Sequence, residues 1–148
     1  MEKLKMMLVD DEERFLSTTR KLLERKDFDV LTASSGAEAL EKLRTHPVHV
    51  VILDVKMPGM DGVATLREIK RNFPMVEVIM LTGHATVESA IEGLKSGAVD
   101  YLMKPADLEE IIGKATDAFN RRVNIEEKIR VARMRGLMKS PREMLKNA

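Results

Sequence analysis

Apolar runs of strand length alternate along this chain with segments whose apolar residues recur at helical spacing. The runs lie near residues 4–9, 29–33, 48–53, 76–81 and 98–103. Five βα units in series predict a parallel sheet that is covered by helices on both faces. We expect the apolar stripe of each helix to pack into the core, including the stripe of the fourth helix, which is formed by Val87, Ala90, Ile91 and Leu94.

The residues at the predicted helix starts agree with this alternation of strands and helices. Ser35 and Glu38 form one predicted capping box, Asp107 and Glu110 form another, and Asp61 is a candidate N-cap. Each of these residues lies between an apolar run and a helical stripe, so the capping residues and the apolar periodicity predict the same element boundaries.

The last helix is expected to be longer than the others. No helix-breaking residue follows Phe119 until Gly136, so we predict that the helix continues to about residue 135. In that extension Ile125, Ile129 and Ala132 form a thin apolar seam, which suits weak self-association or a connection to a further domain.

Length and composition fit one domain with a short appendage. The chain has 148 residues and no cysteine, so it needs no disulfide or zinc framework and carries no thiol chemistry. No apolar run approaches the ~20 residues of a membrane span. We expect a soluble, cytoplasmic protein without a membrane partner.

The net charge of +1 hides an uneven distribution. Residues 121–148 contain nine Lys or Arg against three Asp or Glu, whereas the first 120 residues are net acidic. A solvated helical extension or linker explains such a tail, and an acidic or nucleic-acid partner is the alternative. Since the tail has no aromatic residue and no known binding motif, we do not expect this chain alone to bind nucleic acid.

Polar side chains stand at the carboxyl ends of four of the predicted strands. Asp10 and Asp11 follow the first, Asp54 ends the third, Thr82 ends the fourth, and Lys104 follows the fifth. Because the carboxyl ends of parallel strands meet at one edge of a sheet, these side chains are expected to lie together.

Three carboxylates and an ammonium at one point predict phosphoryl transfer to an aspartate. Asp54 is placed as the nucleophile that would form an acyl phosphate. The carboxylates repel one another unless a cation enters, and Mg²⁺ is the fitting one. We assign Asp11 and Asp54 as direct ligands, Asp10 as a ligand through water, and the backbone carbonyl of Lys56 as a further oxygen.

The other polar residues suit a switch. The Thr82 hydroxyl and the Lys104 ammonium could bind the phosphoryl group only after its transfer, so the two states would differ in their contacts. Tyr101, three residues before Lys104, could then turn inward as Thr82 moves.

The chain also resembles the receiver domains of two-component response regulators over residues 4 to about 122. The matching segments are Met-Leu-Val-Asp-Asp-Glu (7–12), Val-Ile-Leu-Asp-Val-Lys-Met-Pro-Gly-Met-Asp-Gly (51–62), Leu-Thr-Gly-His (81–84) and Asp-Tyr-Leu-Met-Lys-Pro (100–105). In these segments the sequence is most similar to receivers attached to enhancer-binding transcription activators.

The resemblance implies a flavodoxin-like, CheY-like doubly wound fold with strand order 2-1-3-4-5. It implies phosphorylation of Asp54 by a sensor histidine kinase or phosphotransfer protein and a Lys104–Pro105 peptide that is usually cis. The fourth helix, fifth strand and fifth helix would carry the signal to a downstream protein. We divide the chain into a receiver domain (1–122) and a basic extension without an output domain (123–148).

Two positions that tune hydrolysis of the acyl phosphate in such domains are Lys56 and His84 here. As a hypothesis, the Lys56 cation disfavours a water positioned for attack and so lengthens the signal. A bystander position on a loop suits His84 better than a catalytic role.

Several alternatives stay open beside a switch that catalyses only its own phosphorylation and dephosphorylation. A magnesium-dependent phosphatase would want an acid two residues after its nucleophile, where Lys56 stands. A flavin-binding domain of the same topology would not carry Asp-Asp-Glu-Glu after its first strand. A degenerate scaffold receiver, a receiver fragment of a longer transcription regulator, and a homodimer formed through the fifth helix and strand are further alternatives.

Overall fold

The computed structural model describes residues 3–55, 61–83 and 87–136, without the side chains of Val87 and Ser89. Five strands and five helices alternate through these ranges. The strands are β1 (Lys5–Val9), β2 (Asp29–Ala33), β3 (Val50–Asp54), β4 (Glu77–Thr82) and β5 (Asp100–Met103), and the helices are α1 (Glu13–Arg25), α2 (Gly36–Thr45), α3 (Gly62–Asn72), α4 (Val87–Lys95) and α5 (Leu108–Met134).

The strands form one parallel sheet in the order β2-β1-β3-β4-β5. This confirms the predicted fold class and strand order. The register pairs Val9 with Leu53, Asp54 with Leu81, and Thr82 with Met103. The carboxyl ends of β1, β3, β4 and β5 therefore meet at one edge of the sheet.

The second predicted strand matches β2 at both ends, whereas the third and fifth were two residues too long at their amino ends. The apolar runs began at residues 48 and 98, whereas β3 begins at Val50 and β5 at Asp100. Val48 and Ala98 are nevertheless buried. Burial starts before the strands pair, so an apolar run marks the buried segment more closely than the paired one.

Two apolar clusters lie on opposite faces of the sheet, as expected for a parallel sheet. All five residues of β3 are buried, which fits a central strand. One cluster includes Leu66 and Ile69 of α3, and the other includes Leu16 of α1 and Ile111 of α5. The chain thus forms a doubly wound domain.

The three predicted N-caps are confirmed, but one capping box is rearranged. The side-chain oxygens of Ser35, Asp61 and Asp107 accept hydrogen bonds from backbone N–H groups in the first turns of α2, α3 and α5. The Glu38 carboxylate, however, accepts from the backbone N–H of Ser34 at 3.0 Å and from its hydroxyl at 2.8 Å. It therefore closes the turn one residue earlier than a standard box.

This arrangement predicts a pH-dependent contribution of Glu38 to stability. The two bonds from Ser34, together with Lys42, hold the pKa of Glu38 below its usual value of 4.5. The ionised Glu38 carboxylate therefore stabilises the fold at pH values above 4.5. This contribution disappears as the pH falls through the lowered pKa of the folded state. We expect Glu38→Gln to reduce the free energy of unfolding by roughly 1 kcal/mol at pH 7.

Urea unfolding of the variant and the parent chain between pH 7 and pH 3 measures this difference. Glu41→Gln is the matched control, because Glu41 lies in the same helix, is largely exposed and pairs only with Arg44 among the described residues. A difference that stays constant over the pH range would contradict the assignment.

Helix α3 begins against the backbone that follows the phosphoacceptor candidate. A Cβ atom on Gly62 would lie 2.5 Å from both the Cα and the carbonyl oxygen of Val55. The Gly62 N–H donates to that oxygen at 3.1 Å. Glycine is required here by the close approach, which fixes the start of α3 beside the end of β3.

The prediction that the apolar stripe of α4 packs into the core was wrong for two residues. Ile91 and Leu94 are 45% and 44% exposed. Among the residues of α4 whose burial the structure describes, Gly93 is the buried one, and a Cβ there would overlap the end of the Met80 side chain. The sheet therefore contacts a small-residue face of α4 and leaves larger apolar side chains at the surface.

The predicted extension of α5 is confirmed, since the helix continues to Met134. Its first half packs on the sheet through Ile111, Ala115 and Ala118. Beyond these residues Val123 and Ile125 are exposed. The second half of the helix thus projects past the sheet.

Candidate functional site

The structure brings the predicted polar residues together at the carboxyl edge of the sheet. Asp10 directly follows β1, Asp54 ends β3, Thr82 ends β4 and Lys104 follows β5. Asp10, Asp54 and Thr82 are buried, whereas Asp11 is exposed. Backbone hydrogen bonds hold this edge in place, including one of 2.8 Å from the Lys104 N–H to the Thr82 carbonyl.

Three carboxylates converge there. Asp10, Asp11 and Asp54 each offer one oxygen, and these atoms all lie within 4.8 Å of one another. Hard oxygen ligands at such spacing suit a divalent cation such as Mg²⁺, which is held by one or two carboxylates together with waters and phosphate oxygens. The donor set therefore fits the predicted metal.

The ammonium of Lys104 faces the same cluster. Its Nζ atom lies 2.9 Å from Asp10 Oδ2, 3.5 Å from Asp54 Oδ2 and 3.4 Å from Glu12 Oε1. Burial disfavours the charged ammonium, but the attraction of Asp10, followed by Asp54 and Glu12, outweighs it and raises the pKa of Lys104 above its usual value. Lys104 is therefore a cation that partly neutralises the carboxylates.

Two contacts of Lys104 were not predicted from the sequence. In the sequence, Glu12 stands out only as part of the motif 7–12, and no pattern indicates a role for Phe15 at the site. The Phe15 ring centroid lies 5.9 Å from Lys104 Nζ. Glu12 and Phe15 are three positions apart at the start of α1, a spacing that places them on one side of the helix. Only the fold shows that Lys104 reaches this side.

The candidate switch residues occupy the neighbouring strands. Tyr101 is 37% exposed on β5, where it is paired with Met80 of β4. The Lys104–Pro105 peptide is cis, as the resemblance implied. Lys56 and His84 lie outside the described residues, so the assignments made for them remain predictions.

Chemically, the edge offers a buried carboxylate, a place for a divalent cation and a fixed ammonium. This set can accept a phosphoryl group on Asp54 and neutralise the charge that the group brings.

Comparison with protein families decides the class. Residues 6–116 match the family model described as the response regulator receiver domain. This chain belongs to the response regulator receiver family. Receiver domains are phosphorylated by histidine kinases, bind Mg²⁺ at an acidic pocket and act on output domains.

Curated relatives of this receiver domain include two regulators of transcription. It is 39% identical over 110 residues to the transcriptional regulatory protein ZraR of Escherichia coli K12, which covers 74% of this chain and 25% of that protein. It is 37% identical over 105 residues to the DNA-binding transcriptional regulator NtrC of Klebsiella pneumoniae, which covers 71% and 22%. The chain spans about a quarter of the length of these relatives.

Solved structures agree with the fold. A receiver domain from Clostridium thermocellum superposes with a TM-score of 0.76 at 39% identity, covering 82% of this chain and 98% of that chain. NtrX from Brucella abortus superposes with a TM-score of 0.85 at 27% identity, covering 94% of this chain and 32% of that chain. None of the helices among the described residues is long and apolar enough to cross a membrane.

Proposed function

We propose that Asp54 accepts a phosphoryl group from a phosphohistidine of a sensor kinase or phosphotransfer protein. An oxygen of the Asp54 carboxylate forms a bond to phosphorus while the bond from phosphorus to the histidine nitrogen breaks. The imidazole leaves with the electron pair and takes up a proton. The convergence of the Asp10, Asp11 and Asp54 oxygens beside Lys104 is the observation that supports this proposal.

The other residues take the roles that their positions allow. Asp11 and Asp54 would hold Mg²⁺ directly, Asp10 would hold it through water, and the Lys56 carbonyl would complete the protein ligands. An ion held there would supply positive charge against the phosphoryl oxygens. Lys104 and Thr82 bind those oxygens after transfer, because both stand at strand ends beside Asp54.

The signal leaves through the surface of α4, β5 and α5. Phosphoryl contacts with Thr82 and Lys104 bias the domain toward a second conformation in which Tyr101 turns inward. Exposed apolar residues on this surface support a protein docking site: Ile91, Leu94, Tyr101 and Met103. A downstream protein or output domain is the proposed partner, and a second copy of the chain is the alternative.

The chain is divided functionally near residue 122. Residues 1–122 act as the receiver domain, and residues 123–148 act as a basic helical extension or linker. Because relatives with this receiver domain are longer transcription regulators, the proposed role is the phosphorylation-dependent control of such an output.

Intact-mass spectrometry tests the central step. We expect incubation with acetyl phosphate and Mg²⁺ to add one phosphoryl group per chain, and omission of Mg²⁺ to prevent it. Borohydride reduction followed by peptide mapping locates the acyl phosphate, which is expected at Asp54. An unmodified mass in the presence of Mg²⁺ with this donor and with phosphoramidate would favour a scaffold receiver instead.

A further inference from the structure

Glu12 occupies the N-cap position of α1 without capping the helix. Its backbone is extended, with φ −87° and ψ 100°, and its side chain makes no hydrogen bond to the first turn. Ser, Thr, Asp and Asn are preferred at this position because their short side chains bond to those N–H groups. The Glu12 carboxylate instead reaches Lys104 Nζ at 3.4 Å.

The backbone of Glu12 is fixed on both sides. Its N–H donates to Asp10 Oδ1 at 2.9 Å, and its carbonyl accepts from the Leu16 N–H at 3.1 Å. The side chain is nevertheless 66% exposed. The firmly placed backbone keeps the carboxylate within reach of Lys104, and an exposed ion pair of this kind is released at little cost.

The three anionic contacts of Lys104 differ in what else they can bind. Asp10 and Asp54 belong to the cluster that suits a divalent cation, whereas Glu12 does not. When Asp10 and Asp54 turn their oxygens toward a metal ion, Glu12 is the remaining anionic contact of the ammonium among the described residues. The Phe15 ring lies 5.9 Å from the same Nζ atom, on the same turn of α1.

We propose that Glu12 is a positioning residue that holds the Lys104 ammonium over the start of α1 and competes for it with a phosphoryl group on Asp54. Glu12 keeps the cation in place while the metal-ligating carboxylates are engaged. It then yields the cation to the phosphoryl oxygens, which carry more negative charge. The competition sets how strongly Lys104 contributes to holding the phosphoryl group, and this second part rests on the proposed function.

The first arm of the test measures Lys104 without any phosphoryl chemistry. Lys104 is acylated with an amine-reactive acetylating reagent, with and without saturating Mg²⁺, and the modified peptide is quantified against the one that contains Lys114. With Mg²⁺ we expect Lys104 in the Glu12→Gln variant to react about three times faster than Lys104 in the parent chain. A threefold change in rate corresponds to the free energy of an exposed ion pair.

Glu13→Gln is the matched control. Glu13 is the adjacent exposed carboxylate in the same turn, and it makes no ion pair within the described residues. Glu12→Asn is the second variant, because Asn removes the charge but supplies a favoured N-cap side chain. We expect Glu12→Asn to behave as Glu12→Gln and Glu13→Gln to behave as the parent. Equal reactivity of Lys104 in all four proteins would overturn the holding role.

The second arm measures binding of beryllofluoride, an analogue of the phosphoryl group, in the presence of Mg²⁺. Without Glu12 as a competitor, both Glu12 variants are expected to bind the analogue about threefold more tightly than the parent chain. Unchanged or weaker binding would overturn the competition. A parent chain that binds no analogue contradicts the phosphoacceptor function, while the acylation arm still decides whether Glu12 holds Lys104.

Discussion

Replacing Asp54 by Asn is expected to reduce phosphoryl uptake from one group per chain to none. The Asn amide has nearly the size of the carboxylate but is not a nucleophile toward phosphorus. Because Asp54 is buried beside Asp10, the substitution also removes one of three converging negative charges, so we expect the fold to be retained. Intact-mass spectrometry after incubation with acetyl phosphate and Mg²⁺ measures the result.

Two further variants separate the nucleophile from the metal ligands. Asp11→Asn is expected to lose uptake at low Mg²⁺ and to recover it as the Mg²⁺ concentration rises, since in the proposed site the exposed Asp11 side chain would bind the ion without accepting the phosphoryl group. Asp29→Asn, at the opposite end of the sheet on β2, is expected to match the parent chain. Full modification of Asp54→Asn would disprove the assignment of the acceptor.

Replacing Lys104 by Met is expected to have opposite effects on stability and on magnesium affinity. Without Mg²⁺ the variant leaves the fully buried Asp10 without its ammonium partner, and Lys104 itself is only 25% exposed. Removing one member of a buried pair costs several kcal/mol, and partial exposure reduces this to about 2 kcal/mol. With the competing cation gone, we expect Mg²⁺ to bind at least tenfold more tightly, because a unit charge within 4 Å of the ligands no longer opposes it.

One set of urea unfolding curves measures both effects. The variant is expected to be less stable than the parent without Mg²⁺ and to approach it as Mg²⁺ is added, because a ligand that binds only the folded state stabilises it. Lys114→Met is the control, since Lys114 pairs with Asp100 at 2.9 Å and does not contact the acidic cluster. A stability difference that Mg²⁺ leaves unchanged would contradict the placement of Lys104 at the metal site.

The sequence predicted the alternation of strands and helices because parallel strands buried on both faces form continuous apolar runs. The order of the strands came only from the resemblance to receiver domains, since periodicity does not specify which strands are neighbours. The stripe on α4 failed because a second, small-residue face of that helix includes Gly93, which admits the Met80 side chain. Hydrophobicity alone predicts that the larger residues Ile91 and Leu94 face the sheet, whereas the packed structure places the smaller Gly93 there.

The site was predictable to the extent that strand ends specify it. Asp10, Asp54 and Lys104 were placed by the rule that active sites lie at the carboxyl edge of a parallel sheet. Glu12 was missed because an exposed carboxylate at the start of a helix is common and its contact with Lys104 joins residues 92 positions apart. Only the folded chain shows that the Glu12 side chain contacts Lys104 and does not cap the helix.

The length of α5 has a mechanical consequence. Its 27 residues form a rod of about 40 Å, of which roughly the second half extends beyond the sheet. Over the roughly 20 Å that lie beyond the sheet, a change of 5° in the direction of the helix would displace its far end by about 1.7 Å. A helix of this length would act as a lever, because a small change of direction at the sheet gives a larger displacement at Met134, where the helix ends.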